Sequence, residues 1–560
     1  MAFPKLEKEL FLAFIVLFIV SGILWQYFLW YENSEVVPKE GGEITEAIVG
    51  NPQFLNPIYA PLNNSDAEVC NLVFSSLLKL DSKGNLIPDL AESYQISPDG
   101  KIYSFTLKDN IYWQDKEKFS ADDIIFTIQT IKKPEIQSPY LVNWQDVEVQ
   151  KIDEKNVKFV LKDPYYPFIE NFTLGIIPKH IFQDIQPSEF LAETSKHIIG
   201  TGPFKLENIQ KTEDGKINKI SLKKNDKYYS KIPYIDKFTF QYIDSEQAIL
   251  ENKEKFTNLG GISPQNKNLI KENFKVYSIS LPRYFALFLN QNDQILKEKE
   301  IREALSYSVD KEKILKNVFY GVGEIANSPI PDGVFGRTNN IKKFNYDLKK
   351  ADEILNELGW IKNKDGFREK EMPKQNEDEN EVANEQKKLN LEINIATIDQ
   401  QNLIDICSII KDDWTKLGIK VNCQVFEGPQ IIDECISKRN YQVLLFGQSL
   451  SFHPDPFVFW HSSKINYPGL NLSMYQNKKV DELLLKIRQE TDDKKREEYL
   501  VEFQQTLTED IPAIFIYSPH FLYPIKKTLK GVEIEKISQP SERFSNIENW
   551  YIYTKRVRIK

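Results

Sequence analysis

Leu391-Glu-Ile-Asn-Ile395, Leu403 to Gly418, Ile419-Lys-Val-Asn-Cys-Gln-Val425 and Tyr441-Gln-Val-Leu-Leu-Phe446 are consecutive pieces of one pattern. In the first, Leu391, Ile393 and Ile395 alternate with polar residues, as on a half-buried strand. In the second, Leu403, Ile406, Cys407, Ile410, Trp414 and Leu417 recur at offsets 0, 3, 4, 7, 11 and 14, the stripe of an amphipathic helix. Gly418 ends that helix, and Ile419, Val421, Cys423 and Val425 alternate again as a strand. A short helix near Gln430 to Ser437 leads into Tyr441–Phe446, a continuous apolar run expected of a strand covered on both faces. The order β-α-β-α-β predicts a parallel sheet with right-handed crossovers, and an α/β fold class. Two helices follow, one lined by Val480, Leu483, Leu484 and Ile487, the other by Leu500, Phe503 and Leu507.

Upstream, Tyr103, Phe105 and Leu107 share one strand face, and Val157, Phe159 and Leu161 repeat the pattern. Ser120 to Asp123 reads as a capping box opening a helix with Ile124, Ile125, Ile128 and Ile131 on its apolar side. Lys362 to Lys388 is charge-rich and too poor in apolar residues to offset its ordering entropy, so a mobile surface loop is expected there.

The chain has 560 residues, enough for two or three domains, with 41% hydrophobic and 12% aromatic content, values of a globular body. Its 72 basic and 81 acidic residues contain no basic block able to track a phosphate backbone, so no nucleic-acid partner is expected. Leu10 to Leu29 is an almost unbroken apolar run, long enough to cross a hydrocarbon core. Lys5 and Lys8 precede it and Glu32 and Glu35 follow, which places the N-terminus in the cytoplasm. Trp25, Tyr27, Trp30 and Tyr31 then sit at the far interface. The reading is a cytoplasmic tail over 1–9, an uncleaved single-pass anchor over 10–31, a polar linker over 32–42 and a body outside the cytoplasm, with a cleaved signal as the alternative to the anchor. The four cysteines, Cys70, Cys407, Cys423 and Cys435, match no zinc spacing and are read as buried thiols. A single bridge among the last three is the alternative.

Catalytic patterns are missing: there is no GxSxG, HExxH, GxxxxGK[ST] or GxGxxG. Gly200-Thr-Gly-Pro-Phe204 lacks the lysine of a phosphate loop and reads as a tight turn or hinge. His453, Asp455 and His461 lie on a proline-broken loop without ligand spacing, so no metal and no cofactor are expected. Asp122-Asp123 and Asp412-Asp413 are adjacent on helices and diverge, which predicts solvated faces. A binding protein and not an enzyme is therefore expected. Ligands of open α/β sheets sit outside the carboxyl ends of the strands, here Ala396–Gln400, Phe426–Pro429 and Gly447–Phe452. Gln448, Ser449 and Ser451 offer neutral hydrogen bonds there, and Phe446, Phe452 and Trp460 offer apolar walls.

Further motifs occur in order. Val73-Phe-Ser-Ser-Leu-Leu-Lys-Leu-Asp81, Pro88-Asp-Leu-Ala-Glu-Ser93 and Ser97 to Lys108 are followed by Ile111-Tyr-Trp-Gln-Asp115 and Phe119 to Phe126. Ile177-Pro-Lys-His-Ile181, Gly200–Phe204, Ile301 to Lys311, Tyr346 to Trp360, Asp455-Pro456 and Val480-Asp-Glu-Leu-Leu484 complete the series. Together they resemble family 5 bacterial extracellular solute-binding proteins, the peptide receptors of ABC importers. The resemblance implies a two-lobed periplasmic-binding-protein fold of class II, three-domain type, with an N-terminal transmembrane helix. It implies domain I over 43–75, 198–283 and 512–548, domain II over 76–197, and domain III over 284–511 with the insertion 362–388. It also implies a monomeric receptor that captures a peptide or similar small solute and docks on an ABC permease. A surface-anchored sensor, chaperone or adhesin, or a receptor for a non-peptide solute, is the alternative. Receptors of this type hold the ligand amine with an Asp shortly before the Asp-Pro motif, and Gln448 to His453 contains no acid. A cationic amine in a cleft needs a counter-charge, and Asp399 at the neighbouring strand end is the candidate.

Overall fold

The computed structural model describes residues 5–194, 196–270, 272–371 and 388–559. Three large sheets organise it. The first has seven strands in the order Phe274–Ser280, His520–Lys526, Asn258–Leu259, Glu43–Val49, Lys237–Ile243, Ile217–Lys224, Phe204–Lys211. The second, with four antiparallel strands between Ala91 and Val160, packs an aromatic core of Tyr103, Phe105, Phe159, Phe168, Phe172 and Trp144. Its alternating residues point inward as the sequence predicts, and the Ser120/Asp123 capping box closes the helix Ala121–Ile131.

The third sheet carries the opening stretch. Its order is Glu324–Ile325, Ala513–Ser518, Arg283–Leu289, Val443–Ser449, Glu392–Ile398, Lys420–Phe426. Glu392–Ile398 runs parallel to both Lys420–Phe426 and Val443–Ser449, as the β-α-β-α-β order requires. The other three strands join antiparallel, so the sheet is mixed and not all-parallel. Their pairing is non-local: Arg283–Leu289 enters directly from the seven-stranded sheet and Ala513–Ser518 leads directly back into it. The helix Gln401–Lys416 covers one face with Leu403, Ile406, Cys407, Ile410 and Trp414 at no exposure, each side chain of this kind worth about 1.5–3 kcal/mol of burial. The short segment near 430–437 is a π-helical turn, Ile431–Ile436.

Several expectations change. Cys407 and Cys423 form a disulfide with Cα atoms 6.3 Å apart, while Cys70 and Cys435 are buried thiols. The helix stripe and the strand face that made each cysteine look like an ordinary core residue are packed against one another, which brings the two sulfurs together. The stretch 32–42 is no free linker, because Ser34–Lys39 pairs antiparallel with Tyr553–Arg558 near the other end of the chain. At the edges of the expected loop 362–388, Ile361–Lys362, Arg368–Glu371 and Lys388–Asn390 form a small sheet, and 372–387 lies outside the described residues. Asp123 and Asp413 are buried, the first inside its cap and the second paired with Lys416 at 2.6 Å and Lys313 at 3.4 Å. Gly200 belongs to a tight turn laid on the backbone of Val73, where a Cβ would come 1.9 Å from the Val73 carbonyl oxygen.

A buried charge cluster sits against the seven-stranded sheet at Glu46. Arg543 is fully enclosed between Glu46, which accepts from its Nε at 3.0 Å, and Glu68 at 2.8 Å. Burial pushes the Glu68 carboxyl up to about 7, against the opposing pull of Arg543. The helix Lys5–Glu32 exposes its apolar side chains from Leu10 to Tyr31 and is, by length and composition, able to cross a membrane.

Candidate functional site

Two adjacent chain crossings join the lobe holding the mixed sheet to the lobe holding the other two sheets. They run through Ser280–Arg283 and Ser518–His520. Leu281 N–H donates to the Pro519 carbonyl at 3.3 Å, and Ser518 Oγ donates to the Arg283 carbonyl at 2.6 Å, so the strands brace one another as a hinge. The loop after Val443–Ser449 starts beside this hinge, where Leu450 N–H donates to the Pro282 carbonyl at 2.7 Å, and runs on toward the other lobe.

Side-chain roles within that loop diverge. Ser449 is exposed, and its Oγ accepts from Arg283 Nε at 2.7 Å. Ser451 donates to the His453 carbonyl at 2.8 Å. The Phe452 ring lies against Gly84 of the opposite lobe, where a Cβ would approach to 3.2 Å. Of these three, Ser451 lines the groove between the lobes. Gln448 is turned inward, accepting from the Tyr284 hydroxyl and donating to the Leu470 carbonyl at 3.3 Å. Phe446 is half-buried in the same core. Trp460, expected as a cleft wall, is 1% exposed and packs among Phe288, Tyr475 and Phe515. An indole on a short helix at the loop's end is drawn under the sheet, where it buries more apolar area than any wall position offers. Asp399 is exposed at the neighbouring strand end and has no ion-pair partner among the described residues.

The residues that sequence reading missed come from the opposite lobe and from the later helices. The short helix Tyr166–Thr173 and the Tyr165 before it reach across the gap. Glu170 Oε1 accepts from the His453 backbone N–H at 2.8 Å and lies 3.2 Å from its Nδ1. The Tyr165 hydroxyl donates to Asp455 Oδ2 at 3.1 Å. Asp455 is held in turn by Arg488, through Nε at 2.9 Å and Nη2 at 2.5 Å, a two-pronged contact of the strong kind. Burial would lower the Arg488 guanidinium, and the Asp455 carboxylate more than offsets it, leaving it raised. Arg496 lies 3.5 Å over the Tyr166 ring, and the Tyr166 hydroxyl donates to Asp493 at 3.0 Å. A groove of about 620 Å³ opens here, lined by Tyr165, Glu170, Ser451, Asp455, Val458 and Arg488. That volume is in the range of small-ligand sites. The acid expected just before Asp455 in sequence is missing, and Glu170 occupies its neighbourhood from the other lobe. Pro167 inside an aromatic run was the available signal, and it points to a short helix without saying what that helix meets. No group of three or more His, Cys, Asp or Glu among the described residues is arranged to hold a metal ion.

With this geometry in hand, the chain can be set beside known proteins. The model of "Bacterial extracellular solute-binding proteins, family 5 Middle" matches residues 85–467. The oligopeptide-binding protein AppA of Bacillus subtilis is 26% identical over 539 residues, covering 93% of each chain. Its solved structure in complex with a nonapeptide superposes with TM-score 0.69, covering 92% of this chain and all of that one. NikZ from Campylobacter jejuni, solved in complex with Ni(L-His), gives the same TM-score at 28% identity, covering 92% of this chain and all of that one. The two-lobed periplasmic-binding-protein fold is shared along nearly the whole chain.

Proposed function

Since the chain belongs to the family 5 bacterial extracellular solute-binding proteins, we propose that it captures peptides between its lobes and delivers them to an ABC permease. The observation that carries the peptide reading is the groove between lobes, where Glu170 and Asp455 bring carboxylates beside the neutral hydroxyl of Ser451. A peptide presents an ammonium, amides and side chains of mixed polarity, and this lining offers a partner for each. Glu170 uses one carboxylate oxygen on His453, and Oε2 makes no hydrogen bond among the described residues, so it is the counter-charge for the ligand amine. Relatives named for oligopeptide and dipeptide binding support the same class.

Ligand binding closes the lobes about Ser280–Arg283 and Ser518–His520, and the closed form is what the permease reads. The division into domain I over 43–75, 198–283 and 512–548, domain II over 76–197 and domain III over 284–511 is supported by the seven-stranded and four-stranded sheets, which fall within the first and second units, but Ala513–Ser518 pairs in the mixed sheet of the third unit. The receptor acts as a monomer, without chemical turnover, and is held at the outer face by the uncleaved helix Lys5–Glu32. Calorimetry of the purified full chain in detergent against peptides of graded length tests the reading. Micromolar or tighter peptide binding is the expected result. Stabilisation by the nickel–histidine complex or by other solutes, with none by peptides, overturns it.

A further inference from the structure

The two ends of the folded body meet at the exit of the apolar helix. Ser34–Lys39 pairs with Tyr553–Arg558 in unbroken antiparallel register, Ser34 opposite Arg558 and Lys39 opposite Tyr553. The final strand therefore runs back toward the helix. Ile559 N–H donates to the Asn33 carbonyl at 2.8 Å, which carries the pairing to the helix end.

The junction is gripped on several sides. Arg556 Nη1 donates to the Tyr31 carbonyl at 3.2 Å and to Ser34 Oγ at 3.0 Å, and its guanidinium lies 3.6 Å over the Tyr31 ring. Ser34 Oγ donates to the Tyr31 carbonyl at 3.0 Å, and Asn33 Nδ2 to the Leu29 carbonyl at 2.8 Å. Carbonyls that a helix end leaves without partners are taken up by the body itself. Helix and ribbon thus meet at a braced joint instead of a flexible tether.

The register also fixes the height of each side chain. Arg558 is level with Ser34, two residues beyond Glu32, and Lys555 is level with Val37. At about 3.4 Å per residue Arg558 and Lys555 lie roughly 7 and 17 Å from the helix end, within the depth of a headgroup layer plus about one screening length. Lys555 and Arg558 are exposed, as are the apolar side chains of Val36 and Ile559. Lys39, Lys555, Arg556 and Arg558 face Glu32 and Glu35 in the ribbon and its helix junction, an excess of positive charge. Trp25, Tyr27, Trp30 and Tyr31, all exposed on the last turns of the helix, set the aromatic level just below.

We propose that this C-terminal strand is a membrane-surface contact, in which Lys555 and Arg558 bind anionic lipid headgroups while Ile559, level with Asn33 at the helix end, enters the interface. It holds the lobes at a set distance from the bilayer and from any permease in it. The inference rests on the reading of Lys5–Glu32 as a retained anchor.

The test uses the full chain in nanodiscs of phosphatidylcholine, or of phosphatidylcholine with phosphatidylglycerol. Ile152→Cys is 61% exposed in the wild-type position and takes a donor dye selectively, because the native cysteines are bridged or buried. Energy transfer to a headgroup acceptor is expected to be higher in the anionic discs, and high salt should remove the difference. Lys555→Glu/Arg558→Glu should bring the anionic value down to the neutral one, and Lys555→Gln/Arg558→Gln should fall between. Transfer indifferent to lipid charge in the parent chain overturns the proposal, whatever the variants do. An intact mass lacking the apolar helix would instead defeat the anchor reading, a result separable from lipid indifference in a retained chain.

Discussion

Glu170 accepts the His453 backbone N–H across the gap between lobes, from a position 283 residues away. This contact ties the short helix of one lobe to the loop at the carboxyl end of the central strand of the other. It also leaves a carboxylate at the place where a peptide amine is expected.

Glu170→Gln keeps an acceptor oxygen for His453 and removes the charge. Peptides with a free N-terminus should lose about tenfold in affinity, on the order of 1.4 kcal/mol. N-acetylated peptides should lose little. Calorimetry on the pair of peptides separates the two, and equal losses for both would assign Glu170 to lobe closure alone.

Tyr165→Phe deletes the hydroxyl that donates to Asp455 across the same gap. The expected cost is about 1 kcal/mol of closed-state stability, with a larger mean radius of gyration in X-ray scattering. Gly84→Val should act more strongly, because Gly84 has φ +82° and faces the Phe452 ring. A valine there is strained and also blocks the approach of the lobes.

Glu68 carries a pH dependence. Burial raises its carboxyl from 4.5 to about 7 in the folded chain, so the fold binds this proton more tightly than the unfolded chain does. The corresponding stabilisation is fully present below about pH 4.5, declines as pH rises through 7, and is absent above. Glu68→Gln, which mimics the protonated form, should remove this slope. Denaturant titrations across that range should show the parent losing on the order of 3 kcal/mol relative to the variant.

Cys407→Ser/Cys423→Ser opens a loop spanning 16 residues and should lower stability by about 3 kcal/mol. Peptide affinity should hardly change, since the bridge lies between the helix Gln401–Lys416 and the strand Lys420–Phe426. Mass analysis without reductant should find two alkylatable thiols after unfolding, and four would contradict the bridge.

Local chemistry was the legible part of the molecule. The stripe Leu403–Leu417, the alternation at Tyr103–Leu107 and the Ser120/Asp123 box are satisfied by neighbours within a few residues, so spacing alone identifies them. The strand end after Ser449 was legible for the same reason, since a parallel β-α-β order sends its carboxyl edge to one side. Trp460 was misplaced because an aromatic near a strand end is equally at home in a wall or in a core, and packing against Phe288, Tyr475 and Phe515 decides which.

The sequence by itself determined the α/β class, the common carboxyl edge of the parallel strands, and the apolar helix Lys5–Glu32. Each rests on periodicity or length, which are properties of short windows. Only the tertiary structure decided which cysteines bond, that Glu170 stands beside His453, and that the supposed linker Ser34–Lys39 is a strand held by Tyr553–Arg558. Arg556 and Ser34 are 522 residues apart and meet at 3.0 Å. Such contacts depend on how whole sheets and lobes pack, and that packing is set by the summed burial of distant side chains, which no local window contains.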